Sequence, residues 1–357
     1  MKQNKLKVLF IKLVELGIIG PINLLLKNLK KTLRPRWLVF EITDRCNSRC
    51  THCNIWEQKP IKNFLTPQDI KKIFKSSLFA KLKHVILTGG EAILRNDLEE
   101  IILIIHKILP KVEFTLSTNG LLPDQVLALV KSMAEKNIRV IVGVSIDALG
   151  EKHDSIRGVK GNFEKVDYLI RELMNLKEKY GDIVSPALGF TLSDLTVDFV
   201  KDIVEYSSKL GTDFVVAMYE EASYYHNVGK KLVNNQRLIK ALKMMPATLH
   251  RDILIKALKK QNTKFSCFSL NTFCVLRCNG DIVPCLRLSH MSIGNIKESD
   301  PLEVWQSTDA QKIRKTVKSC SDCLNTWAID WSLRSYGWPV LKYALKKRIK
   351  RIYGRKD

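Results

Sequence analysis

From Trp37 onward the chain alternates short apolar runs with longer stretches in which apolar residues recur every three or four positions. The runs 37–43, 83–88, 112–117, 139–146, 184–191 and 213–218 are rich in Val, Ile and Leu. Such runs predict strands of a parallel sheet buried on both faces, since a sheet with one wet face would alternate polar and apolar residues. Between them, 97–109, 123–136, 162–179 and 195–209 carry helical spacing. Thr66-Pro67 predicts a further helix start: threonine can cap a free N–H, and proline at the first helical position lacks only an N–H that has no partner there. Gly181 and Gly211 stand where helices 162–179 and 195–209 should end. Repeated strand–helix units imply parallel strands joined by right-handed crossovers. About six units predict an α/β fold, a partial (β/α)6 TIM-like barrel, with its chemistry at the C-terminal ends of the strands.

The pattern changes at both ends. Residues 1–34 mix apolar runs with Lys and form a basic amphipathic extension, and 331–357 form a second basic amphipathic tail. The barrel is expected over 35–260. Residues 261–330 read as a small separate domain holding six of the nine cysteines, and Phe273 to Pro284 predict a hairpin turning at Asn279-Gly280, a favoured two-residue turn.

Charge sharpens this picture. The 357-residue chain has a formal net charge of +23. Residues 1–36 hold nine Lys/Arg against Glu15, and 331–357 hold nine against Asp357, so most of the excess sits on the two ends. The longest uncharged N-terminal stretch, Leu16 to Leu26, is too short to span a bilayer, and Lys12 and Glu15 interrupt a signal-peptide core. Two readings of the ends remain: helices packed on the domain, or interfacial helices on an anionic membrane. The composition, 45% hydrophobic and 27% charged, is that of an ordinary globular protein. The clustered cysteines predict a reducing, cytoplasmic setting, with the inner membrane face as the peripheral alternative.

Cys46, Cys50 and Cys53 follow the first apolar run in a C-x3-C-x2-C spacing. A cubane iron–sulfur cluster normally takes four thiolates, so three from one loop leave an iron open for a ligand. The alternative is a zinc loop that borrows a distant residue. Gly89-Gly90-Glu91 ends the second strand, where two glycines let backbone approach a ligand closely. Asn119 follows the third strand, Ser145 and Asp147 the fourth, and Arg157 precedes Gly158. Arginine suits a carboxylate ligand through paired charge-assisted bonds; a surface ion pair is its other reading, and a helix cap is the other reading of Asp147. Glu220, Glu221, Tyr224 and Tyr225 follow the sixth strand, as substrate contacts or as a polar loop.

The cysteine loop, the Gly-Gly-Glu stretch and the Ser145 to Arg157 segment together resemble the radical S-adenosylmethionine (SAM) superfamily. The run of Cys267, Gly280, Cys285 and Cys320-Ser321-Asp322-Cys323 resembles its Twitch or SPASM extension. The resemblance implies a SAM-binding 4Fe-4S cluster on Cys46, Cys50 and Cys53. It implies that Gly89, Gly90 and Glu91 meet the SAM amino group and that Ser145 and Arg157 meet its carboxylate, with Asn119 as a further contact. Ala92 departs from the proline usual at that place, which loosens the turn. A second, auxiliary 4Fe-4S cluster would take Cys267, Cys285, Cys320 and Cys323. Cys274 and Cys278 have no counterpart and read as packed thiols, although either could replace Cys267; four-cysteine zinc is the rival for this group. The implied activity is reductive cleavage of SAM to a 5′-deoxyadenosyl radical that takes hydrogen from an unactivated C–H bond. A donor such as flavodoxin or ferredoxin would supply the electron, and the substrate would be a peptide or a sugar or glycolipid. The competing classes are an RNA-modifying enzyme and a zinc-stabilised binding protein. The nearly balanced charge of the middle of the chain argues against nucleic acid.

Overall fold

The computed structural model describes residues 21–23, 25, 32–61, 63–245, 248–261, 263, 266–320, 323–337 and 342–343. Most of the 1–34 extension and of the 331–357 tail lies outside these. Six strands form the predicted parallel series: β1 (Trp37–Thr43), β2 (His84–Gly89), β3 (Glu113–Thr118), β4 (Val140–Ser145), β5 (Val184–Leu192) and β6 (Asp213–Met218). They pair in sequence order, each parallel to the next. Every residue of β1 is buried. Fully buried side chains such as Phe40 and Phe114 each contribute about 1.5–3 kcal/mol.

The crossovers are helices α1 (Pro67–Phe74), α2 (Leu98–Ile108), α3 (Pro123–Glu135), α4 (Gly150–Arg157), α5 (Asn162–Tyr180) and α6 (Val200–Leu210). The Thr66 cap is present as a reciprocal box, with Thr66 Oγ1 accepting from Asp69 N and Asp69 Oδ2 accepting from Thr66 N. Gly181 and Gly211 end their helices with φ of 64° and 66°. Helix α6 starts later than its spacing predicts. Ser193 and Thr196 hold a hydroxyl-bonded turn instead, in which Ser193 N donates to Thr196 Oγ1 and Leu195 N to Ser193 Oγ.

After α7 (Asn235–Met244) and α8 (Leu249–Leu258) come β7 (Phe273–Leu276) and β8 (Ile282–Val283). β7 lies parallel to β1, with Trp37 opposite Phe273 and Phe40 opposite Leu276, so the cysteine-rich segment continues the barrel sheet. The sheet order is β6-β5-β4-β3-β2-β1-β7-β8. The hairpin does not turn on Asn279-Gly280 alone: its turn spans Arg277 to Asp281, closed by Arg277 N donating to Asp281 O at 2.8 Å. Asn295 enters this turn, donating from Nδ2 to Asn279 O and Asp281 Oδ1, which stabilises the wider loop.

Helices α9 (Pro301–Gln306), α10 (Thr308–Lys318) and α11 (Thr326–Tyr336) complete the fold. α11 touches β6 and also stacks Trp331 on Trp37 of β1, with ring centroids 6.1 Å apart. One helix can reach both the first and the sixth strand only if the sheet curls. The C-terminal strand ends therefore converge around a common mouth.

Candidate active site and cluster-binding cysteines

A cavity opens at these strand ends. Its floor is built where β1 passes into the cysteine loop. Gly90 N donates to Thr43 O at 2.9 Å and Glu91 N to Arg45 O at 2.7 Å, so the Gly-Gly-Glu backbone runs flush against the approach to Cys46. A Cβ on Gly90 would strike the Arg45 carbonyl and come within 3.0 Å of Cys46 Cβ. The glycine is there for space.

The cysteine loop is laced on both sides. Arg49 N donates to Arg157 O at 3.0 Å, Thr51 N to Ile156 O at 2.9 Å and Ser48 Oγ to Arg157 O at 3.0 Å, tying it to the end of α4. On the other side the loop after β6 holds it: Asn54 N donates to Tyr225 O, Asn227 Nδ2 to His52 O and Lys230 Nζ to Thr51 O, all between 2.9 and 3.1 Å.

The structure brings Cys46, Cys50, Cys53, Gly89, Gly90, Glu91, Asn119, Ser145 and Arg157 to this one cavity. Glu91 is buried, accepts from Asn119 N at 2.6 Å, and is pushed up to about 7 by burial against that hydrogen bond. Asn119 spreads its polar atoms, with Nδ2 donating to Asn47 Oδ1 and Oδ1 accepting from Leu121 N. Arg157 is not on the surface. Its Nε lies 2.7 Å from Asp147 Oδ2, and an N–H of the same guanidinium reaches Cys50 Sγ at 3.9 Å. Burial disfavours both charges, but each outweighs it for the other, so Asp147 is held below and Arg157 above its usual range. Asp147 does not cap a helix; its Oδ1 accepts from Thr191 N. The sequence did not flag His52 or Asn227 as lining residues. Burial pushes His52 down to about 4, leaving it neutral. Glu220 and Tyr225 of the polar loop also face the cavity, while Glu221 is exposed and accepts from Gly229 N.

The second cysteine group separates cleanly. Cys285 and Cys323 are each in electrostatic reach of Cys267, Cys320 and Glu220, and Cys323 is also in reach of Cys285. Cys274 and Cys278 lie elsewhere. Cys274 is a buried β7 residue opposite Leu38, and Cys278 Sγ donates to Glu41 Oε1 at 3.2 Å. Glu41, buried in β1, pairs with Arg277, whose guanidinium sits 5.3 Å from the centroid of the Tyr224 ring, so this set pins the hairpin turn to the barrel. The remaining cysteines thus fall into a set of three and a set of four, the numbers that one open and one closed cubane would take. Burial pushes Cys46 up to about 11 and Cys285 up to about 12, so these thiols stay protonated until a metal displaces the proton. Among the described residues no three His, Cys, Asp or Glu side chains converge as ligands of a single ion would. A cubane spreads its thiolates over separate irons.

Similarity to known proteins agrees with this geometry. Residues 40–186 match the radical SAM superfamily and residues 267–324 match SPASM, an iron–sulfur cluster-binding domain. The chain is 27% identical over 312 residues to GTP 3',8-cyclase of Aliarcobacter butzleri, covering 82% of this chain and 91% of that protein. It is 24% identical over 295 residues to the sporulation killing factor maturation protein SkfB of Bacillus subtilis, covering 79% and 67%. Among solved structures, Streptococcus suis SuiB bound to its precursor peptide SuiA shares the fold with a TM-score of 0.61, 17% identity, and coverage of 83% and 69%. The cofactors are accordingly SAM, a 4Fe-4S cluster and auxiliary iron–sulfur, and the zinc alternative for the second cysteine group gives way. With its cysteine loop at the strand ends and a cysteine-rich segment built onto the same sheet, the chain belongs to the radical SAM superfamily and carries a SPASM extension.

Proposed function

We propose that the chain oxidises or matures a peptide. Cys46, Cys50 and Cys53 would hold the cluster that binds SAM, and Cys267, Cys285, Cys320 and Cys323 the auxiliary one. The observation that carries this assignment is the single cavity lined by the three loop cysteines together with Gly89, Gly90, Glu91, Asn119, Ser145 and Arg157. When bound, the cofactors supply a 5′-deoxyadenosyl radical and an electron acceptor for the substrate radical. The chain's own residues bind and orient. The Gly89-Gly90 backbone and Glu91 would meet the SAM amino group, and Ser145 and the outer N–H groups of Arg157 its carboxylate. Asp147 fixes the guanidinium plane from behind. Glu220 and Tyr225 lie on the wall toward the second cysteine group, where a substrate bound between the two would pass.

A peptide is favoured over a nucleoside triphosphate by charge. The ionisable side chains lining the cavity, thiols and phenols aside, are Glu91, Glu220, Arg157 and His52. Arg157 would be taken by Asp147 and the SAM carboxylate together and His52 is neutral, whereas a triphosphate calls for several further cations. SkfB is named as a maturation protein, and SuiB binds a precursor peptide.

The test is anaerobic reconstitution of the full chain. Iron and sulfide should each reach about eight per chain, and about four in the Cys46→Ala/Cys50→Ala/Cys53→Ala triple variant. The wild type, with a strong reductant, should form 5′-deoxyadenosine from SAM, and the triple variant should not. Peptides that stimulate this and lose the mass of a hydrogen pair would establish the substrate class. Stimulation by GTP instead would overturn it.

A further inference from the structure

The two basic ends of the chain join the domain at one face. α11 begins beside the cavity, where Asn325 Nδ2 donates to Glu220 Oε2 at 3.0 Å. It runs the depth of the barrel to Ser335, whose hydroxyl lies 2.6 Å from Thr272 Oγ1, ahead of β7. Asn23 Nδ2 donates to the Ser335 carbonyl at 3.1 Å, and Arg36 N donates to the Thr272 carbonyl at 2.7 Å. Asn23 and Arg36 of the first basic segment and Ser335 of the second therefore lie together at the N-terminal strand ends, opposite the cavity; segments 1–36 and 331–357 each hold nine Lys/Arg and one acidic residue.

That face is basic in its own right. Lys81, Lys83 and Lys111 line, with Arg334, a hollow of about 630 Å³ below the starts of β2 and β3. Glu113, the carboxylate that lines the hollow, lies 2.6 Å from Arg139, and Arg334 lies 2.8 Å from Asp330. Helix C-termini gather cations in any such fold, but Lys83 and Lys111 sit in the connections beyond the helices. Near the Asn23 contact, Ile22 and Leu25 are 49% and 58% exposed. Apolar side chains among many cations suit a lipid surface, where tails and headgroups are met together; a nucleic acid offers phosphate without the apolar layer.

We propose that this face docks on an anionic lipid bilayer with the cavity turned away from it. Among the described residues no helix is long and apolar enough to cross a membrane, and the contact proposed is interfacial. The geometry has a consequence for substrate: it enters from the aqueous side and is not drawn out of the same bilayer. The proposal is independent of the peptide reading, since it concerns the opposite end of the barrel.

The experiment is co-sedimentation of the full chain with phosphatidylcholine vesicles, with and without phosphatidylglycerol, over a salt series. Binding should appear only on the anionic vesicles and weaken with salt. Lys81→Glu/Lys83→Glu/Lys111→Glu should lower partitioning on the order of 100-fold, at about fivefold or more per basic residue. Lys152→Glu/Lys160→Glu/Lys231→Glu makes the same charge change near the mouth and should leave partitioning within about threefold. Thermal melts of the two variants establish that both are folded. No binding to anionic vesicles, or equal losses in the two variants, would overturn the proposal. So would salt-sensitive retention on tRNA in the absence of vesicle binding, which would make the face a nucleic-acid surface.

Discussion

Arg157 and Asp147 form an ion pair at 2.7 Å, with side chains 8% and 0% exposed, directly under the cavity. Neither charge has water to fall back on. Removing one partner of such a pair strands the other in a medium that solvates it poorly, at a cost of about 3–5 kcal/mol. Asp147→Ala should therefore lose about that much in urea unfolding, although Asp147 lines no part of the cavity wall. Arg157→Lys retains the charge but not the planar fork. It should weaken SAM binding by more than it lowers stability, which equilibrium dialysis beside unfolding curves would show.

His84 gives a pH dependence far from the cysteines. Its Nε2 lies 2.8 Å from Thr115 Oγ1, and burial, then Arg334 and Arg139, push it down to about 4. The folded chain thus holds its imidazole neutral while the unfolded chain protonates near 6.5. Stability is present above that value and is lost as pH falls toward 4. Between pH 7.5 and 5.5 the loss from this group is about 1.3 kcal/mol. His84→Gln should remove that part of the slope, so the variant gains on the wild type as pH falls. Parallel slopes in urea titrations at the two pH values would refute it.

Asn227 is buried and bonds three backbone groups: Oδ1 accepts from Ala222 N, and Nδ2 donates to His52 O and Glu220 O. It joins the first cysteine loop to the loop that faces the second cysteine group. Asn227→Ala leaves those groups without their partner, at about 1–3 kcal/mol for each that water cannot reach. The expected signature is local. A chelator should strip iron from the loop cysteines several-fold faster, with loss from the second cysteine group unchanged. Asn227→Asp keeps the Ala222 bond but turns an acceptor oxygen toward the His52 and Glu220 carbonyls, so its stripping rate should be at least that of Asn227→Ala.

The strands were legible because a parallel sheet buried on both faces leaves unbroken apolar runs, and six such runs are six strands here. The cysteine loop was legible because its spacing is local. What was not legible depends on partners distant in sequence. The parallel pairing of β7 with β1 unites Phe273 with Trp37, and nothing in a short apolar run names its neighbour. Cys274 and Cys278 read as packed thiols, but whether either replaces Cys267 turned on placing Cys274 opposite Leu38 and Cys278 on Glu41. Arg157 read as a ligand with a surface pair as its alternative, because its burial against Asp147 comes from the docking of α4 on the cysteine loop. The late start of α6 had a local signal, Ser193 and Thr196, whose hydroxyls compete for backbone N–H groups.

Two glycines allow conformation and space to be separated. Gly211 has φ of 66° with no atom near an added Cβ, so Gly211→Ala meets only the left-handed backbone cost of about 1–2 kcal/mol. It should lower the melting temperature and leave iron content unchanged. Gly90 is the reverse. Its φ lies outside the left-handed region, but a Cβ there would drive into the Arg45 carbonyl and against Cys46 Cβ. Relief requires the backbone leading into the cysteine loop to move, which displaces the first of three thiols that must meet one cluster. Gly90→Ala should therefore lose iron from about eight toward about four per chain, with a fall in melting temperature at least as large as that of Gly211→Ala, since backbone atoms must move. If Gly90→Ala instead retained full iron and normal SAM cleavage, the close packing of the Gly-Gly-Glu stretch on the Cys46 approach would have no part in building the site.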